Sequence, residues 1–245
     1  MGLLEVRGLT KVYSGLTAVG AVDFAVARGS ITALIGPNGA GKTTCFNLIA
    51  GAARCTSGSV IFDGHDITGL SPEEACARGI ARTFQIVRPL AGMSVLENVV
   101  VGALLRQPSV AAAERQAMVV LDCIGLGAKA HASASALSLP ERKLLELAKA
   151  LSTRPRLLML DEVMAGLRPT EADGIAQVLR DLNADGLTIL LIEHVMRVVM
   201  AVAQTIVVLH HGEKIAEGRP QQIANDPKVI ACYFGSGMPV AMEAT

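Results

Sequence analysis

Short, nearly continuous apolar runs alternate along the chain with longer stretches in which apolar residues recur every three or four positions. Residues 31–35, 157–160 and 188–192 are runs of the first kind, typical of strands buried on both faces. Helical spacing follows each run. This order predicts an α/β fold with an open, mostly parallel sheet.

Two regions add to this plan. Residues 3–6 and 22–26 predict antiparallel strands at the amino terminus, ahead of the first buried run. Residues 86–154 carry helical patterns only, with a capping signal at Ser94. We therefore predict one domain over residues 1–245, with an inserted helical subdomain at 86–154.

Composition narrows the class of protein. Hydrophobic residues make up 51% and aromatic residues 3%, so the core is aliphatic, as suits helices packed on a parallel sheet. Lys plus Arg and Asp plus Glu each number 22, which leaves no basic surplus for nucleic acid. The five cysteines form no C-x-x-C pair, and no signal peptide or bilayer-spanning run is visible. We expect a cytoplasmic protein that acts at a membrane only through partner subunits.

A glycine-rich loop, Gly36-Pro37-Asn38-Gly39-Ala40-Gly41-Lys42-Thr43, lies between a predicted strand and a predicted helix. Its glycines let backbone N–H groups wrap around phosphates, Lys42 adds a cation, and the Thr43 hydroxyl can ligate Mg²⁺. A plain turn before an ordinary helix is the alternative. The flanking strand and helix favour the phosphate-binding loop, known as Walker A.

The run at 157–160 ends in two carboxylates, Asp161 and Glu162. Ligands of open α/β sheets lie at the carboxyl ends of strands, so both acids should lie beside the Walker A loop. Asp161 would hold Mg²⁺, and Glu162 would act as general base toward the attacking water. Without that loop, such a pair more often begins a helix.

The order of these motifs resembles the ATP-binding subunits of ABC transporters over nearly the whole chain. The branched-chain amino acid and related amide importers are the most similar type. The resemblance rests on the segments 81–85, 93–98, 137–141, 191–194 and 229–235.

That resemblance implies further roles. Tyr13 matches the aromatic that stacks on adenine, Gln85 the residue that senses Mg²⁺ and the attacking water, and His194 the switch histidine at the γ-phosphate. Ser138 matches the signature serine, which faces ATP bound to the other subunit. The implied cofactors are ATP and Mg²⁺. The implied phosphate-binding residues are Gly36, Pro37, Asn38, Gly39, Ala40, Gly41, Lys42, Thr43 and Thr44. The remaining histidines, His65, His131, His210 and His211, are interpreted as surface residues.

The chain departs from the family pattern at two places. Leu139 and Pro140 stand where the signature has two glycines, and Arg168 stands where the loop after Asp161 usually carries Asp or Asn. Ser138 and Glu141 also form a capping box, which predicts the start of a helix. The predicted buried stripe of that helix is Leu144, Leu147, Ala148 and Leu151.

The resulting hypothesis is an ATPase that energises an importer. Its expected partners are membrane permeases, a second ATP-binding subunit, identical or not, and indirectly a solute-binding protein. Permeases should dock near the apolar residues Ile86, Val87, Leu90 and Met93, unless this loop merely covers its own core. The alternatives are an exporter subunit of the lipopolysaccharide type, an ABC protein acting on DNA or ribosomes, and a regulatory subunit that binds ATP without turnover.

Overall fold

Two β-sheets form the framework of the protein. The computed structural model describes residues 2–83, 89–90 and 92–234, with the side chain of Phe234 left aside. The strands in these residues are β1 (Leu4–Tyr13), β2 (Leu16–Val26), β3 (Ile31–Ile35), β4 (Ser57–Phe62), β5 (His65–Asp66), β6 (Ile80–Arg82), β7 (Leu157–Asp161), β8 (Thr188–Ile192), β9 (Thr205–His210) and β10 (Glu213–Gly218).

The larger sheet has the order β10-β9-β3-β8-β7-β6 and is parallel except for its edge pair β9–β10. Every residue of β3, β7 and β8 is buried, because the sheet is covered on both faces. The smaller sheet, β2-β1-β4-β5, is antiparallel. The predicted α/β fold, with antiparallel strands at the amino terminus, is confirmed.

The helices complete two hydrophobic cores. One core holds the first helix between the two sheets, around the fully buried Phe46. The other lies on the opposite face of the larger sheet, under the third to seventh helices. The helices are α1 (Lys42–Ile49), α2 (Pro72–Ala77), α3 (Val95–Ala103), α4 (Val110–Cys123), α5 (Leu139–Ser152), α6 (Pro169–Ala184), α7 (Met196–Val202), α8 (Pro220–Ala224) and α9 (Pro227–Phe234).

Three of these helices, α3 to α5, lie within the range predicted for the helical subdomain and pack on one another. The capping signal at Ser94 holds: the Ser94 hydroxyl accepts the Glu97 N–H at 3.2 Å, and the Glu97 carboxylate accepts the Ser94 N–H at 2.6 Å. The predicted boundary at residue 86 lies outside the described residues. The division of the chain into domains stays a prediction.

Two local predictions were incomplete. β1 and β2 extend well beyond residues 3–6 and 22–26, because their far ends form an exposed hairpin that carries little burial signal. In α5, Leu147 and Ala148 are buried as predicted, but Leu144 and Leu151 are only partly buried. The helix is enclosed on several sides, and its buried residues also include Lys143, Leu145 and Glu146.

The five cysteines are all unpaired. Among the described residues, no helix is both long and apolar enough to cross a bilayer.

Candidate functional site

The glycine-rich loop leaves β3 and ends where α1 begins at Lys42. Neighbouring turns brace it: Gly212 donates its N–H to the Ala40 carbonyl at 3.1 Å, and Gly20 donates to the Gly212 carbonyl at 2.8 Å. The Lys42 ammonium donates to the carbonyls of Gly36 and Pro37 at 2.7 and 2.9 Å. The cation is thereby held inside the curve of the loop.

This loop lines a cavity of about 380 Å³. Residues 38–44 form one wall, residues 16–18 of the β1–β2 hairpin another, and Glu162 and His211 complete the lining. Thr43 is exposed at the start of α1. The cavity therefore combines helix amides, an ammonium group, a hydroxyl and a carboxylate, a set that suits a polyphosphate.

The two carboxylates lie where the sequence predicts, at the carboxyl end of β7. Glu162 adopts a left-handed backbone conformation (φ 50°), and its N–H donates to the Ile192 carbonyl of the neighbouring strand at 2.9 Å. Burial lowers the pKa of Lys42, while the negative charges of Glu162 and Asp161 raise it. Both acids are therefore close enough to act on the Walker A lysine.

Asp161 is almost fully enclosed, and its Oδ2 accepts a hydrogen bond from the Arg82 guanidinium at 2.8 Å. No group of three or more His, Cys, Asp or Glu residues suited to a metal occurs in the described part of the chain. One carboxylate and one hydroxyl nonetheless fit Mg²⁺ in a nucleotide site, because phosphate oxygens and water supply its other ligands. Asp161 and Thr43 are thus compatible with the metal.

The remaining predicted site residues are less closely gathered. His194 is exposed, two residues after the end of β8, and does not line the cavity. Tyr13 is exposed at the end of β1, with the Lys11 ammonium 4.7 Å from its ring centroid. Gln85 lies outside the described residues, as do Ile86 and Val87.

Ser138 is exposed at the start of α5. Its N–H and its hydroxyl both donate to one carboxylate oxygen of Glu141, each at 2.9 Å. Lys129 also contacts Glu141, and these neighbours, Lys129 first, lower the pKa of Glu141 to about 2. Ser138 is therefore held by the hydrogen bonds that cap its own helix.

The two departures from the family pattern fit the structure. Pro140 lies in the first turn of α5, where backbone N–H groups have no partner within the helix. Leu139 lies beside Gly166, in the loop after β7. Arg168 precedes α6, and Glu171 accepts its backbone N–H at 2.8 Å, so the helix start is satisfied without Asp or Asn.

Sequence reasoning missed several residues of this region. His211, interpreted as a surface residue, is exposed but also lines the cavity. His210 is half-buried, and its ring centroid lies 4.0 Å from that of His211. Arg82 belongs to the segment 81–85 that carries the family resemblance, and its charge at the end of the short apolar strand β6 is a signal of a specific partner. Lys143 and Glu193 carry no sequence signal of burial, because only tertiary packing encloses them.

Comparison with known proteins identifies the family. Residues 19–165 match the ABC transporter family model, and residues 213–238 match that of the branched-chain amino acid ATP-binding cassette transporter. The chain belongs to the ABC transporter family. It is therefore an ATP-binding protein and an ATPase coupled to transport, as predicted.

Two relatives and three solved structures illustrate the match. The high-affinity branched-chain amino acid transport ATP-binding proteins BraF of Pseudomonas aeruginosa and LivG of Escherichia coli are each 39% identical, over 95% of this chain and 98% of theirs. A nucleotide-free ATP-binding cassette of an ABC transporter and another in its ADP conformation each have a TM-score of 0.88 and 33% identity, over 96% of this chain and 100% of theirs. A dimeric post-hydrolysis cassette bound to ADP and Pi is 24% identical over 89% of this chain and 98% of its own, with a TM-score of 0.80, and shows the fold alone.

Proposed function

We propose that this ATPase energises an importer of branched-chain amino acids or related small amides, at the inner face of the cell membrane. The names of its 39% identical relatives support this substrate class. The ATPase mechanism rests on one observation: Glu162 lines the same cavity as the Walker A loop.

In this proposal the loop amides and Lys42 bind the phosphates, and Tyr13 stacks on adenine. Thr43 and Asp161 would hold Mg²⁺, which would supply positive charge to stabilise the phosphates. Glu162 accepts a proton from the water that attacks the γ-phosphorus, and ADP leaves. His194 and Gln85 would contact the γ-phosphate and its water, as the family resemblance implies.

Replacing Glu162 with Gln tests the general base. The amide keeps the shape of the side chain but cannot accept the proton, so turnover should fall by about 100-fold or more. Nucleotide affinity should stay within about twofold, because the binding groups remain. Glu114→Gln is the matched control, since Glu114 is exposed on α4. Equal turnover in the wild type and Glu162→Gln would refute the assignment.

A second ATP-binding subunit is proposed to complete each site. The exposed start of α5 supports this, because the amino terminus of a helix has a partial positive charge, and at Ser138 it would attract a phosphate bound to the other subunit. In the Glu162→Gln variant, ATP should convert the chain to a dimer detectable by light scattering. Replacing Ser138 with Arg should prevent that conversion. A monomer at saturating ATP, with and without the sister subunit, would contradict this assembly.

The permease is proposed to dock in a surface groove of this chain. This groove, of about 350 Å³, is lined by residues of α2, α3, α5 and β6 and by Ala50 and Ala52, which follow α1. Val101 of α3 lines it and is 49% exposed, and the exposed Leu104 and Leu105 follow directly after the end of this helix. Exposed apolar side chains at the edge of a groove are typical of an interaction surface.

Cross-linking tests the docking site. Val101→Cys should form an adduct with cysteines placed in the cytoplasmic loops of the permease. Val119→Cys is the matched control, because Val119 is 68% exposed on α4 and does not line the groove. Adducts of Val119→Cys without adducts of Val101→Cys would place the permease elsewhere.

The direction of transport can be tested in proteoliposomes. Leucine with its solute-binding protein, added on the side opposite to ATP, should stimulate ATP hydrolysis. Stimulation only by a lipid-linked substrate on the ATP side would favour the exporter alternative.

A further inference from the structure

Arg82, the last residue of β6, joins three elements around the proposed metal site. Its Nη2 donates to Asp161 Oδ2 at 2.8 Å, at the end of β7. Its Nη1 donates to Asn47 Oδ1 at 2.5 Å, on α1. The guanidinium carbon also lies 5.8 Å from the ring centroid of Phe46. One side chain thus ties the strand of the proposed metal ligand to the helix that begins at the Walker A lysine.

Burial gives these contacts their importance. The side chain of Arg82 is 13% exposed and that of Asp161 is 4% exposed. Water competes little for such a pair, so the guanidinium largely determines how the carboxylate is turned. With Oδ2 bonded to Arg82, the other oxygen of Asp161 is the one left for a metal ion or its bound water.

The planar fork of arginine is what this position requires. Two nitrogens of one rigid group reach Asp161 and Asn47 at once, whereas a lysine ammonium on a flexible stem cannot reproduce that fixed spacing. Partners that orient a metal-binding carboxylate in this way commonly contribute 10- to 100-fold to metal affinity.

We propose that Arg82 is a positioning residue that sets the orientation of Asp161 toward Mg²⁺. The proposal rests on the proposed function, because it takes Asp161 as the metal ligand. Arg82 does not line the cavity formed by the Walker A loop. Its effect should therefore appear in the gain of nucleotide affinity that Mg²⁺ produces, and not in the affinity measured without metal.

The test is the affinity of the purified chain for a fluorescent ADP analogue, measured with Mg²⁺ and with EDTA. Arg82→Met should reduce the gain from Mg²⁺ by about 10-fold or more while the affinity in EDTA stays unchanged. Arg82→Lys keeps the charge and should recover only part of the gain.

Arg156→Met is the matched control. Arg156 also pairs with an aspartate, Asp63, and its guanidinium carbon lies 5.0 Å from the ring centroid of Phe62. It lies outside the cavity lining, so its loss should affect stability and leave the Mg²⁺ gain as in the wild type.

Asp161→Asn separates this inference from the function on which it rests. If Asp161→Asn keeps the full Mg²⁺ gain, the proposed metal site is wrong. If Asp161→Asn loses the gain but Arg82→Met keeps or increases it, the positioning role of Arg82 alone is overturned. Arg82→Lys with wild-type behaviour would likewise overturn it, because charge without the fork would then be sufficient.

Discussion

Replacing Gly36 with Ala should destabilise the protein more than the same change at Gly39, three residues further along the loop. Both glycines have backbone angles that other residues rarely adopt, with φ of 149° and 79°. A Cβ at Gly36 would lie 2.1 Å from the Leu209 carbonyl oxygen, which belongs to the buried strand β9. A Cβ at Gly39 would meet no heavy atom within 4 Å.

The expected magnitudes follow from these distances. Left-handed strain costs about 1–2 kcal/mol at either position, and the lower entropy of the unfolded chain offsets about 0.4–1 kcal/mol. Gly39→Ala should therefore lower the free energy of unfolding by about 1 kcal/mol. Gly36→Ala must also displace the backbone of β9, which adds about 1–3 kcal/mol by analogy with overpacked cores.

Urea unfolding in nucleotide-free buffer measures both variants. The chain has no Trp, so circular dichroism is the suitable probe. Equal slopes with a lower midpoint for Gly36→Ala than for Gly39→Ala are expected. Indistinguishable midpoints would refute the steric reasoning and would show that the loop relaxes around a Cβ.

Three further predictions concern α5. Glu141→Gln should remove a pH-dependent part of the stability. The pKa of Glu141 in the folded protein, about 2, lies below its ordinary value of 4.5. The stabilisation by the Glu141 carboxylate is therefore present above about pH 4.5 and is lost as the pH falls toward 2. Solvent screening reduces the effect to about 1 kcal/mol, measured as a narrowing gap between wild type and variant in unfolding titrations from pH 6 to pH 3.5; a constant gap would contradict it. Lys143→Met should lower the free energy of unfolding by about 3 kcal/mol, because the buried Glu193 carboxylate then lacks a nearby cation. The double variant with Glu193→Gln should recover most of this stability in thermal unfolding. No recovery in the double variant would argue against coupling between the two residues. Leu145 is fully buried, so Leu145→Ala should lower the free energy of unfolding, measured with urea, by about 2–5 kcal/mol. A decrease below about 1 kcal/mol would mean that neighbouring side chains move into the space left by the leucine.

Lys143 is buried next to the loops that follow β7 and β8. Lys143 is 6% exposed, and its ammonium lies 3.4 Å from the Glu162 carbonyl oxygen. Burial lowers the pKa of Lys143, and the nearby charge of Glu193 raises it. Glu193 is 1% exposed, and its Oε1 accepts the Met164 N–H at 2.9 Å, while burial raises its pKa. The α5 helix is thus tied to the loops that follow β7 and β8.

Local chemistry made part of this architecture predictable. Strands β3 and β8 were predicted with their observed ends, because complete burial leaves an uninterrupted apolar run. The capping box at Ser94 marks the start of α3, because the hydrogen bonds that cap the amino terminus of a helix join residues three positions apart. The far ends of β1 and β2 were missed because pairing without burial leaves little trace in residue type.

The sequence by itself determined which residues are candidates for binding phosphate and activating water. The Walker A spacing and the carboxylates after a buried strand depend on short stretches of backbone, so Lys42, Thr43, Asp161 and Glu162 could be named in advance. Only the tertiary structure decided which distant groups act on them. The contact between Arg82 and Asp161 spans 79 positions of the chain. Such contacts arise from the order of strands in the sheet, and a linear pattern of hydrophobic and polar residues does not encode which buried charges meet.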